Sequence, residues 1–182
     1  KEELARQLSL EQGKPYRSEA IPDIEETAEN FRLAAEDVKR LETAVIPSQD
    51  ANKRIFTFRE PNGVYACITP WNFPTVIPSE LIAPAIAAGN AVVAKPSEWT
   101  PISMANLVQT MADAGLPGGV VNLVYGAGEV GERLVTDPAV DCVAFVGSHQ
   151  TAERIVRSAG LRRTLIEASG NGPVIVCADA DL

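Results

Sequence analysis

Histidine is nearly absent from this sequence, with one in 182 residues. The three cysteines, at 67, 142 and 177, have no metal-ligand spacing, and a single histidine cannot build a cluster, so no metal site is predicted. Basic charge is scarce too: 16 Lys and Arg stand against 24 Asp and Glu, a formal net charge of −8. That balance argues against nucleic acid or an anionic membrane as partner, because phosphates need clustered cations. The largest basic patch, Arg154, Arg157, Arg162 and Arg163, is small and sits beside acidic neighbours. The longest apolar region, residues 81–94, is broken by Pro84, Gly89 and Asn90, so it predicts no membrane span. There is no low-complexity segment and no stretch that reads as a signal peptide. Each cysteine lies in an apolar, strand-like run, which predicts buried, reduced thiols in a reducing compartment and hence a cytoplasmic location.

What is present is apolar residues in regular patterns. At 46% hydrophobic, the chain can bury the core of one α/β domain with an appendage. It begins at Lys1 and stops after Ala178-Asp179-Ala180-Asp181-Leu182, with no element there to finish a sheet. It is therefore expected to be a piece of something longer, with apolar surface exposed at the unfinished sheet.

Residues 1–60 read as helices followed by a strand. Leu4 and Leu8 share a face over residues 2–12. Ile24, Ala28, Phe31, Ala35, Val38 and Leu41 recur at three- and four-residue spacing over residues 23–42, a long amphipathic helix. Residues 54–59 alternate and predict a strand. From Pro61 the rhythm changes to strand and helix in turn. Strands are expected at 64–69, 91–95, 120–125, 142–146, 163–167 and 173–177, and helices at 76–88, 101–114, 129–136 and 151–158. Apolar strands separated by helices predict an α/β fold, a parallel sheet with helices on both faces, preceded by the N-terminal helical segment. Ligands on such sheets bind beyond the carboxyl ends of the strands. Residues 70–74, 95–98, 126–131 and 147–148 all fall there.

Each of these segments supports two readings. Asn72, in Pro70-Trp71-Asn72-Phe73-Pro74, either aims its amide at a developing oxyanion or caps the helix that follows. Lys95-Pro96-Ser97-Glu98 offers a donor and an acceptor three residues apart, suited to the two hydroxyls of a ribose; the alternative is a surface ion pair. Gly147-Ser148 opens a helix and presents N–H groups and a hydroxyl to an anion, or simply caps that helix. Glu167 follows an apolar strand and precedes a loop of small residues, a setting for a general base or for a solvated glutamate. Gly126-Ala127-Gly128-Glu129-Val130-Gly131 matches G-x-G-x-x-G, but it follows the third strand of the unit rather than the first. The acidic residue wanted about 20 positions later is also missing, since that region reads Phe145-Val146-Gly147. An ordinary pyrophosphate loop is not the preferred reading.

Taken in order, these pieces resemble the aldehyde dehydrogenase superfamily over residues 61–182. The resemblance runs through Pro61-Asn62-Gly63-Val64, Pro70-Trp71-Asn72-Phe73-Pro74, Pro84-Ala85-Ile86-Ala87-Ala88-Gly89-Asn90 and Lys95-Pro96-Ser97-Glu98. It continues through Ala114-Gly115-Leu116-Pro117, Gly119-Val120-Val121-Asn122, Phe145-Val146-Gly147-Ser148 and Glu167, with Glu11-Gln12-Gly13-Lys14 similar to the family's N-terminal helical region. It implies a truncated aldehyde dehydrogenase fold. Residues 61–182 would form the Rossmann-like NAD(P)-binding domain, residues 1–60 its N-terminal helices and strand, and the catalytic domain would be absent.

The resemblance further implies NAD, with NADP as the alternative, and oxidation of an aldehyde to a carboxylic acid through a cysteine thioester. Asn72 matches the oxyanion-hole asparagine and Glu167 the general base. Lys95 and Glu98 match the ribose contacts, with Ser97 between them. Gly128 matches a wall of the adenine pocket, Ser148 after Gly147 the pyrophosphate contact, and Ile68, Pro70 and Trp71 the strand end against which the cofactor lies. The nucleophile of the family belongs to a later segment that this chain does not contain, so the chain alone is expected to be inactive and the full-length protein a homodimer or homotetramer. Ala168-Ser169-Gly170-Asn171 departs from the family's usual base loop, Val146 stands where Thr is frequent, Ala152 where Gly is, and Leu81 where many members carry Lys. Two other classes stay open: a non-catalytic dinucleotide-binding module, and a semialdehyde or acyl-phosphate reductase on the same scaffold.

Overall fold

The structure, a computed structural model, describes residues 1–181. Its N-terminal stripe folds as α1 (Glu2–Gln12), with Ala5 and Leu8 buried. A wide π-type turn over Tyr16–Ala20 leads into α2 (Ile21–Asp37), and a 3₁₀ turn, Val38–Arg40, ends it. Ala5, Leu8, Ala20 and Ile24 form a small core where α1 and α2 meet.

The strand expected over residues 54–59 is shorter. β1 (Val45–Ile46) and β2 (Ile55–Phe56) make a two-residue antiparallel ladder whose side chains are exposed. Alternation marks a half-buried strand, but neither face of this hairpin is covered, so little favours a longer ladder.

The rest alternates as expected: β3 (Val64–Ile68), α3 (Val76–Ala87), β4 (Ala91–Lys95), α4 (Pro101–Asp113), β5 (Val121–Leu123), α5 (Gly128–Thr136), β6 (Cys142–Gly147), α6 (His149–Ala159) and β7 (Arg163–Ala168). β3 to β7 form one parallel sheet in the order β5-β4-β3-β6-β7. On one face, Cys67, Val92, Ala94 and Ala144 pack against Leu81 and Ile82 of α3 and Met104 and Leu107 of α4. On the other, Ala66, Ile68, Val143 and Phe145 pack against Val135 of α5 and Ala152 and Ile155 of α6. Burial on both faces explains why the inner strands read as apolar runs rather than alternating ones. No helix among the described residues is long and apolar enough to cross a membrane.

Two expectations fail together at residues 173–177. The segment forms no strand, Val174, Ile175 and Val176 are exposed, and Cys177 is exposed rather than buried. An apolar run becomes a strand only beside a partner, and no strand lies next to this one among the described residues. Cys67 and Cys142 are buried in β3 and β6 as expected.

Candidate functional site

The chain leaves β3 in one direction along the sheet, through β4 to β5, and then returns to β6 and β7 on the other side. The reversal falls between β3 and β6, the switch point where open α/β sheets bind ligands. Register places Lys95, Ile68, Phe145 and Ile166 in one row across the carboxyl end of the sheet. A cleft of about 850 Å³ opens above this row, on the face of α5 and α6.

Of the expected cofactor residues, Ile68, Pro70, Lys95, Ser97 and Glu98 line this cleft from the β3 and β4 ends, and Gly128, Gly147 and Ser148 from the starts of α5 and α6. Trp71 does not line it. Its side chain is exposed, and its carbonyl accepts a hydrogen bond from Thr100 Oγ1 at 3.5 Å.

Lys95 is buried and makes no ion pair with Glu98. Its ammonium donates to the carbonyls of Pro96 and Gly126, each at 2.8 Å. Burial pushes the Lys95 ammonium below the usual lysine range, and the Glu98 carboxylate pulls it partly back. Glu98 is exposed at the cleft edge, with its carboxylate left to accept from a ligand.

The two helix starts differ in charge. α5 carries Glu129 in its first turn, whereas the first turn of α6 has no acidic residue. An anion is therefore better received at α6, where the helix dipole is not cancelled. Ser148 caps α6, its Oγ accepting from Thr151 N at 3.4 Å, so the capping reading of this serine is seen directly. Gly147 is required by space, because a Cβ there would lie 2.5 Å from Cζ of Phe145. Gly126 is required by conformation and by space: its φ is +150°, and a Cβ would lie 2.3 Å from Cγ2 of Val130. The G-x-G-x-x-G run is thus the turn that brings α5 against Lys95, which a Cβ on Gly131 would touch at 3.5 Å from Cε.

Asn72 and Glu167 stand outside the cleft. Asn72 lies in the bend between β3 and α3 and does not cap α3, whose N-cap position is Thr75. Glu167 is the residue after Ile166 on β7 and so points to the opposite face, toward α3. It is near enough to Glu80 of α3 that partial burial first, then Glu26 and Glu167, push the Glu80 carboxyl above its usual range.

Two residues not expected at the site also line it. Arg154 and Arg157 of α6 line the cleft, while Arg162 from the same supposed patch is turned away, donating to the carbonyls of Val140, Ala159 and Asp137. The helical spacing of 154 and 157 would have placed both on one face.

The description "Aldehyde dehydrogenase family" matches residues 1–182. The 2,5-dioxopentanoate dehydrogenase of Saccharolobus solfataricus is 40% identical over all of this chain and 39% of its own length. The NADP-dependent succinate-semialdehyde dehydrogenase of Escherichia coli is also 40% identical, over 100% of this chain and 38% of its own. Among solved structures, the NAD-dependent aldehyde dehydrogenase of Sinorhizobium meliloti superposes with a TM-score of 0.90 at 40% identity, covering 99% of this chain and 36% of that one. The chain thus spans about two-fifths of the length of the curated relatives it matches.

Proposed function

Because the chain belongs to the aldehyde dehydrogenase family, we propose that it is the cofactor-binding portion of an NAD-dependent aldehyde dehydrogenase. In this reading residues 61–182 are the Rossmann-like domain, residues 1–60 supply its N-terminal helices, and the catalytic domain comes from residues outside this chain. The observation that carries the reading is that eight of the expected cofactor positions line one cleft at the sheet's switch point.

The donor set fits a dinucleotide. Glu98 accepts from a ribose hydroxyl, Lys95 supplies a buried cation beside it, and the acid-free start of α6 receives a pyrophosphate. A carboxylate at 98 favours NAD, since it would repel a 2′-phosphate. When bound, the nicotinamide accepts hydride from the substrate carbon.

The chain's own contribution to the chemistry is a donor and a base. The Asn72 amide N–H donates to the substrate oxygen as it gains negative charge. Glu167 takes a proton from the water that hydrolyses the acyl-enzyme. The thiolate comes from elsewhere in the protein. Burial pushes the Cys67 thiol up to about 12, and Cys142 is equally enclosed, so neither can attack an aldehyde. The exposed Cys177 lies in irregular chain and does not line the cleft. Calorimetric titration of the full-length protein with NAD and NADP tests this reading. NAD should bind tighter, and binding of neither would refute it.

A further inference from the structure

The bend that carries Asn72 is held from outside, one residue at a time. The carbonyls of Trp71 and Asn72 enter neither ladder nor helix. Trp71 O accepts from Thr100 Oγ1 at 3.5 Å, and Asn72 O from Gln12 Nε2 at 3.3 Å. Phe73 is covered on its ring face by the Lys14 ammonium, 3.5 Å from the centroid. Gln12 ends α1 and Lys14 follows just past its Gly13 cap, some sixty residues away in sequence.

Lys14 is itself anchored. Lys14 Nζ lies 2.6 Å from Asp23 Oδ2, and both side chains are 7% exposed. The Lys14 carbonyl accepts from Ser9 Oγ at 2.6 Å. Oε1 of Gln12 is buried and has no hydrogen-bond partner, so the amide is fixed by its donor side alone. A buried ion pair stabilises little more than apolar residues of the same volume would, and the adjoining core of Ala5, Leu8, Ala20 and Ile24 is apolar. What the charge adds here is direction: it holds a cation over one ring face, next to Asn72.

We propose that Gln12 and Lys14 are positioning residues for Asn72. Gln12 holds the carbonyl of Asn72 itself and Lys14 holds the ring of the residue after it, so that the Asn72 amide is aimed before the substrate arrives, which is how an oxyanion donor avoids reorganisation at the moment of reaction. The proposal rests on the reading of Asn72 as that donor.

A double-mutant cycle in the full-length protein separates the two ideas. The readout is the single-turnover rate of NADH formation from succinate semialdehyde, alongside NAD affinity. Asn72→Ala should lower the rate roughly 100-fold. Gln12→Leu and Phe73→Leu should each lower it roughly tenfold with NAD affinity unchanged, and Lys14→Arg, which keeps a cation over the ring and a partner for Asp23, should restore most of it relative to Lys14→Met. In the Asn72→Ala background neither Gln12→Leu nor Phe73→Leu should cost anything further, because they act through the residue already removed. Equal costs in both backgrounds would mark a merely structural tie and overturn the proposal, as would no cost in either. If Asn72→Ala itself left the rate unchanged, the oxyanion reading would fall and the positioning role with it. Phe73→Leu leaves α1 and its ion pair intact, so the cycle can be completed even where Gln12→Leu does not fold.

Discussion

The ammonium of Lys95 donates to the carbonyl of Gly126 over 2.8 Å, tying the end of β4 to the turn that opens α5. One buried cation thereby shapes the floor of the cleft and the position of its far wall. The second carbonyl it serves, Pro96 O, fixes the turn that carries Ser97 and Glu98.

Lys95→Met should therefore loosen the cleft as well as remove a ligand contact. NAD affinity should fall by roughly tenfold or more, and unfolding in urea should show a loss of about 1–2 kcal/mol. The pH dependence has a definite sign. Burial holds the folded-state pKa of Lys95 below its unfolded value, so the fold carries a deficit while Lys95 is protonated. That deficit is relieved as pH rises from the lowered value toward the ordinary lysine value of ~10.4. Wild type should gain stability relative to Lys95→Met across that window, and parallel stability curves would contradict the assignment.

Glu98 offers a test of cofactor choice. Glu98→Ser removes the carboxylate that would face a 2′-phosphate while keeping a hydroxyl for a ribose. NADP affinity should rise roughly tenfold and NAD affinity should fall, a change of about 1.4 kcal/mol in the first of these. Fluorescence titration using Trp71 and Trp99, both exposed, would record it. An unchanged NADP affinity would mean that Glu98 does not meet the ribose.

A different long-range contact governs stability. Glu11, at the end of α1, accepts from Ile102 N at 2.6 Å, from Ser103 N at 2.7 Å and from the Ser103 hydroxyl. The N-cap residue of α4, Thr100, makes no side-chain capping bond, so Glu11 satisfies the free N–H groups of α4 from 91 residues away. Glu11→Ala should cost about 1–2 kcal/mol, with early loss of amide protection at Ile102 and Ser103 on hydrogen exchange.

The sheet was legible because strands buried on both faces announce themselves as short apolar runs, as at residues 91–95 and 142–146. The same signal misled at residues 173–177, since hydrophobicity predicts burial but not the presence of a partner strand. Local chemistry exposed Lys95, Glu98 and Ser148, which sit where strands end and helices begin. The duties of Glu11, Gln12 and Lys14 were invisible for the opposite reason. As a string they are the end of an amphipathic helix and the residue past its glycine stop, and their partners Ser103, Asn72 and Phe73 lie far along the chain. Arg154 and Arg157 were grouped with Arg162 by proximity in sequence, but the first two share a face of α6 whereas Arg162 lies past its end and donates to the carbonyls that close α5 and α6.

The thiols give a test of burial. Cys67 at about 12 and the enclosed Cys142 should resist alkylation at pH 8, whereas the exposed Cys177 should react within minutes. In this 182-residue chain one thiol should react under native conditions and two more only in denaturant. Modification of Cys67 at the rate of Cys177 would show that β3 opens freely.

Glu167 distinguishes a hydrolytic dehydrogenase from a reductase on the same scaffold. If Glu167 activates the water that releases the acid, Glu167→Gln should leave formation of the acyl-enzyme largely intact and slow its hydrolysis by roughly 100-fold, within the range of general-base contributions. A burst of NADH followed by a slow steady state is the expected trace in the full-length protein. Addition of a thiol nucleophile should then relieve the block, because thiolysis needs no base to activate water. An enzyme that passes its acyl group to phosphate or a thiol would, with that acceptor present, gain no such burst from the substitution, since Glu167 would have no water to activate. Glu167 faces α3 rather than the cleft, so the substitution should leave NAD affinity unchanged. A fall in that affinity would place the glutamate in the cofactor site and remove the basis for its role as a base.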